Sequence, residues 1–173
     1  MNRRNILLGI LASGAFAGVG GALWLGSSSN NCPLTINASL QTLDRLMEEK
    51  PTTLGDWNLY QILMHCAQSV EFSMSGFPEH KPPIFKNTIG SLAFSAFSQK
   101  GEMTHGLSEI IPGAPLIPTS EDSASAYIRF RESMIKFRSY SGTLAQHFVY
   151  GQLTKLEYER AHAMHFYNHL QLQ

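Results

Sequence analysis

This sequence predicts an all-α fold: a four-helix bundle with one long crossover between its second and third main helices, preceded by an apolar N-terminal segment. Three observations lead there. Apolar residues recur three and four positions apart along several separate stretches, the period of a helix with one buried stripe. No pair of segments alternates apolar and polar residues as half-buried strands do. Prolines and glycines gather between the stretches, and only one of the gaps is long.

Residues 1–30 read as a unit of their own, ahead of a domain at 31–173. Arg3 and Arg4 precede an uncharged apolar run from Ile6 to Gly26 and a Ser/Asn exit, the layout of an export signal or a single membrane anchor. A buried soluble helix is the poorer reading, since glycine in a helix interior costs about 1 kcal/mol relative to alanine. The pair Arg3-Arg4 directly before Asn5-Ile6-Leu7-Leu8 resembles a twin-arginine export signal, which carries folded proteins across a bacterial inner membrane. The run would also span a bilayer at about 1.5 Å per residue. No small-x-small cleavage site precedes the Ser run, so a cleaved leader and an uncleaved inner-membrane anchor both stay open. Either places the domain on the periplasmic side.

Asn37 can cap a first helix to about Glu49, with Leu40, Leu43 and Met47 on one stripe. Pro51 and Gly55 break the chain. Asp56 can cap a second helix from Trp57 to about Ser75, with Tyr60, Leu63, Ala67, Val70 and Met74 inward. Gly76-Phe77-Pro78 ends it, and a shorter helix fits residues 85–100. Residues 101–119 hold three prolines and three glycines and read as a long irregular crossover. Ser120 or Ser123 can cap a helix to about Ser141, with Tyr127, Phe130, Met134 and Phe137 at core spacing. His147–Gly151 is a loop. Thr154-Lys155-Leu156-Glu157 is a capping box, in which hydroxyl and carboxylate satisfy each other's backbone donors, and it starts a final helix that runs to the chain end.

Thirteen Lys+Arg balance thirteen Asp+Glu. Without residues 1–30 the chain loses Arg3 and Arg4 and no acidic residue. No basic patch stands out, which argues against a nucleic-acid partner. Cys32 and Cys66 are either two unrelated thiols or a pair tying the start of the domain to its second helix.

The chemistry lies in the histidines. His162, His165 and His169 stand three, four and seven residues apart, so one helix face can carry all three. His165 and His169, at i and i+4, can grip one ion, whereas His162 is better suited to support a ligand than to be one. Two imidazoles make a poor catalytic site, and a third should come from a facing helix. His65, mid-way along the second helix and aligned with Gln61, Gln68 and Phe72, is that candidate, although a histidine flanked that way is more often a satisfied core or boundary residue. His147, in the loop before the last helix, is a candidate acid–base group or ligand-orienting residue, or else a loop filler. His80 and His105 sit among Pro, Gly and charged residues and are expected on exposed loops. Trp57 and Tyr60 are expected in the core.

The run Trp57 to Ala67 (WNLYQILMHCA), followed much later by His165-x3-His169-Leu170, resembles the DinB/YfiT-like metalloenzyme superfamily. Within it the chain is most similar to a branch of unknown function, the domain-of-unknown-function 1569 branch. There a segment like His147-x2-Tyr150-Gly151-x-Leu153-Thr154 precedes the last helix, with proline where Phe148 stands here. That branch also tends to arginine and then glutamine after the H-x3-H-L run, where this chain has Gln171 and Leu172. Phe77-Pro78, Phe85-Lys86-x3-Gly90 and the Ile111–Pro115 turn are similar too, so the likeness covers essentially the whole domain from about Leu34.

The resemblance implies a DinB-like four-helix bundle binding a divalent metal (zinc, nickel or iron) through His65, His165 and His169, with water or substrate in the open positions. Relatives in the wider superfamily include thiol-using transferases and isomerases, which implies metal activation of a thiol or water on a small-molecule substrate. A non-catalytic metal-binding or interaction module, tethered at the membrane, is the rival. A bundle whose histidines never meet is the third possibility, and a homodimer is left open.

Overall fold

A computed structural model describes residues 32–49, 53 and 55–170. The export-signal or anchor reading of residues 1–30 lies outside the described residues. Among those described, no helix is long and apolar enough to cross a membrane. The fold is all-α: α1 (Ile36–Glu49), α2 (Leu59–Ser75), α3 (Ser91–Lys100), α4 (Ser123–Ser139) and α5 (Lys155–His169). A single turn, Pro83–Phe85, and a π-helical stretch, Lys86–Gly90, lead into α3. No named strand is present among the described residues; His147 and Gly151 form an isolated bridge.

The helices start one to three residues away from several expected caps, for local reasons. Thr35 Oγ1 accepts from the Ala38 amide, so α1 begins ahead of Asn37, whose side chain accepts from Arg138 instead. Asn58 rather than Asp56 caps α2, in a reciprocal box with Gln61. Asp122, between the two serines offered, accepts from the Ser125 amide and caps α4. The expected Thr154/Glu157 box starts α5.

Four helices share one core. α2 packs most extensively on α4, α1 packs on α4 and α5, and α5 packs on α2. Each therefore touches two others in a closed ring, the neighbour pattern of a four-helix bundle. Leu43, Leu63, Ala67, Val70, Phe130, Met134, Phe137, Tyr158 and Phe166 are fully buried there. Tyr127, expected inward, instead sends its hydroxyl to Asp44 at the surface. Glu71 is turned outward to Arg129 in a two-point ion pair. Both cysteines are free thiols, Cys32 exposed and Cys66 buried.

The long crossover is tied down by amide side chains. Asn58 donates to the Ser120 carbonyl, Gln61 to Ile117 and Gln68 to Pro115. Gln61 and Gln68 flank His65 at i−4 and i+3, so the crossover is laid along the face of α2 that carries this histidine. At the other end of the bundle, the loop 141–151 is held by backbone bonds from Ala145 to Ser73 and from Lys81 to Phe148. Buried Lys86 donates to Gln146 of this loop.

Gly90 is where that loop presses on the π-helical turn. A Cβ built there would run into the carbonyl group of Val149, which is backbone and cannot swing aside. Gly90→Ala should cost about 1–3 kcal/mol and lower Tm by several degrees in calorimetry. Gly106→Ala, whose Cβ meets nothing closer than 3.6 Å, should change Tm little. An unchanged Tm in the Gly90 variant would mean that the loop does not press on the helix.

Candidate metal centre

His65 sits in the middle of α2, and His165 and His169 stand one turn apart at the end of α5. The packing of α5 on α2 brings the three rings together. His65 Nε2 is 3.0 Å from His165 Nε2, and His169 Nε2 is 3.1 Å from His165 Nε2. All three candidate donor atoms lie within 4.8 Å of one another. In a tetrahedral zinc site with Zn–N bonds near 2.05 Å, donor nitrogens are about 3.3 Å apart. The two spacings to His165 are close to that, and the third is no more than 4.8 Å.

Burial dominates the electrostatics. It pushes His65 down to about 3, with His105 adding to the effect. His169 is pushed down to about 2, by burial first and then by His65 and His105, with the Leu107 carbonyl opposing. His165 is also held well below its ordinary value, by burial and then by His169, His65 and His105. The rings are therefore neutral imidazoles, the form that donates lone pairs to a metal. Three neutral rings cannot all satisfy one another: His165 Nε2 faces two partners and has either one proton or one lone pair to offer. The Nδ1 atom of His65 is buried and makes no hydrogen bond. A cation resolves the first of these conflicts directly, by taking all three Nε2 lone pairs at once.

Two residues that the sequence placed elsewhere belong to this site. Trp57, expected in the core, tilts against His65 at a ring separation of 5.0 Å and stacks on His169 at 6.0 Å. It enters just ahead of the α2 cap, where helical periodicity carries no information. His105, expected on an exposed loop, lies against His165 and His169 at 5.0 and 4.8 Å. Its proline- and glycine-rich neighbourhood gives no sign that the crossover folds back over the bundle. Gln68, which shares the His65 face in the sequence pattern, was the available clue, because it is the side chain that ties the crossover there.

The other histidines do not join. His162 Nε2 lies 3.2 Å from the Ser73 hydroxyl, and its ring stacks on Tyr158. Burial pushes it down to about 3 as well. His147, the candidate acid–base residue, accepts the Val149 and Tyr150 amides at its Nδ1, both at 3.2 Å. It stacks face to face on Tyr150 at 4.4 Å, and its other ring contacts are with Phe77, Phe148 and Tyr158. His147 thus organises the turn 147–151, and none of these ring contacts is with His65, His165 or His169. His80 is exposed, near Lys86.

The depressed histidines have a consequence for stability. In the unfolded chain they take up protons below about pH 6.5, whereas the folded protein keeps them neutral. The stabilisation is fully present above that pH and is lost as pH falls towards 3, at up to about 1.4 kcal/mol per pH unit for each ring. Urea unfolding of metal-free protein should give similar free energies at pH 7 and 8 and a value several kcal/mol lower at pH 5. A flat profile over that range would mean that the rings accept protons while folded.

No significant match was found among curated proteins or among solved structures. The sequence profile of the family described as "Protein of unknown function (DUF1569)" matches residues 34–172, which include all four helices of the ring and every histidine of the site. The chain belongs to that family.

Proposed function

We propose that residues 31–173 form a DinB-like four-helix-bundle domain that holds one divalent metal on His65, His165 and His169 and acts as a metal-dependent enzyme. The observation that carries this reading is the convergence of three neutral, buried imidazole nitrogens from two helices that lie 100 residues apart in sequence. The donor set suits zinc, nickel or iron, all of which accept imidazole ligands. Bound there, such an ion supplies Lewis acidity, making a coordinated water more acidic or stabilising a thiolate. The protein's own part is to keep the rings neutral by burial and to set their planes. Trp57 does the latter by packing on His65 and His169, which also screens one side of the site from water. Three protein ligands leave a coordination position for water or a small-molecule substrate.

A non-catalytic site closed by a fourth protein ligand is the second reading, and the nearness of His105 to two of the rings favours it. For location, we propose export or inner-membrane anchoring through residues 1–30, supported by Arg3-Arg4 ahead of the apolar run.

Metal analysis tests the central claim. Purified parent protein should carry about one metal ion per chain, and the His165→Ala/His169→Ala variant essentially none. Chelation should also lower the Tm of the parent and leave the variant unmoved, because an ion bound only by the folded state stabilises it by mass action. Equal, low metal content in both proteins would end the proposal.

A further inference from the structure

We infer that His105 is a positioning residue of this centre: its Nε2 accepts a hydrogen bond from the water in the coordination position left open by His65, His165 and His169. The inference rests on the metal reading above.

The tautomer follows from its partners. His105 Nδ1 lies 2.9 Å from the Gly106 carbonyl oxygen. A carbonyl only accepts, so the proton sits on Nδ1 and Nε2 carries a free lone pair. That Nε2 is buried and has no hydrogen-bond partner among the described residues. A buried acceptor left unmet is costly, so a donor is expected opposite it. The ring stands 4.8 Å from His169 and 5.0 Å from His165, as close as the three candidate ligand rings stand to one another. Yet the three donors that converge are His65, His165 and His169, without His105. A ligand would join that cluster, whereas an acceptor for bound water stands off from it by the width of the water. Nor is the placement loose. Asn168, the neighbour of His169, donates to the His105 carbonyl, and Gln68 holds the same crossover on α2.

The test uses the full chain loaded with Co(II), as wild type, His105→Leu and His105→Gln. Glutamine keeps an acceptor near the Nε2 position and leucine removes it. X-ray absorption counts the coordinated imidazoles, and visible absorption follows binding of azide, which displaces water but has no proton to donate. All three proteins should show three imidazoles. Azide should bind about tenfold tighter to His105→Leu, the scale of effect expected of a group that supports a metal site from outside its ligand set, and His105→Gln should return to near the wild-type affinity. Should the leucine variant fail to fold, His105→Val is the replacement, with the same expected gain. Four imidazoles in the wild type would overturn the inference in favour of a closed site. Equal azide affinity in all three proteins would overturn it in favour of simple packing. Wild type that takes up no Co(II) would bring down the metal reading itself and this inference with it.

Discussion

The domain is organised around a contact that position imposes: imidazole nitrogens 3.0 and 3.1 Å apart, all in a place too dry to be charged. In water such rings would protonate or separate. Here α2 and α5 belong to the same closed ring of helices, so separating the histidines would mean parting the core residues beside them. Leu63, Cys66 and Ala67 surround His65 in the sequence of α2, and Met164 and Phe166 flank His165 on α5, all of them buried. Hydrophobic packing therefore holds a polar arrangement that its own electrostatics would not assemble. That is the condition for preorganised ligands, because little ordering is left to do when an ion binds.

Around the rings, polar side chains do work that apolar packing cannot. The crossover lacks regular structure and would leave its carbonyls unpaired if it merely lay on an apolar surface. Asn58, Gln61 and Gln68 of the α2 region meet three of those carbonyls, and Asn168 of α5 meets a fourth, that of His105. The same face of α2 thus presents a candidate ligand and the amides that fasten the covering segment over it. Trp57 and His105 close on the candidate ligands from the two segments flanking α2 and α4, so the site is shared among four parts of the chain.

Histidine serves a different purpose at the opposite end of α5. The His147 ring takes two backbone amides on Nδ1, which puts its proton on Nε2. His105 is the reverse, with its proton held on Nδ1 by a carbonyl. One side chain thus appears in both tautomers, each set by the backbone group it faces. His162, only three residues before His165, turns to Ser73 and Tyr158 instead. Sequence proximity to a metal-type pair does not make a third ligand; a helix turns about 100° per residue, and three residues are enough to reach another part of the core.

The sequence by itself determined the helices and the strongest part of the site. Periodicity, proline and glycine breaks and the Thr154/Glu157 box are local, and local interactions survive without knowledge of the fold. The i, i+4 geometry of His165 and His169 is local too. That His65 is the third member came from resemblance rather than from spacing, since nothing along α2 distinguishes a ligand from a core histidine. Only the tertiary structure decided that His105 and Trp57 stand at the rings and that His147 serves its own turn. Those placements depend on where an irregular crossover is tied down and on which face of α2 meets α5. Contacts between residues tens of positions apart leave no periodic trace in either segment, so they become readable only when the chain has closed.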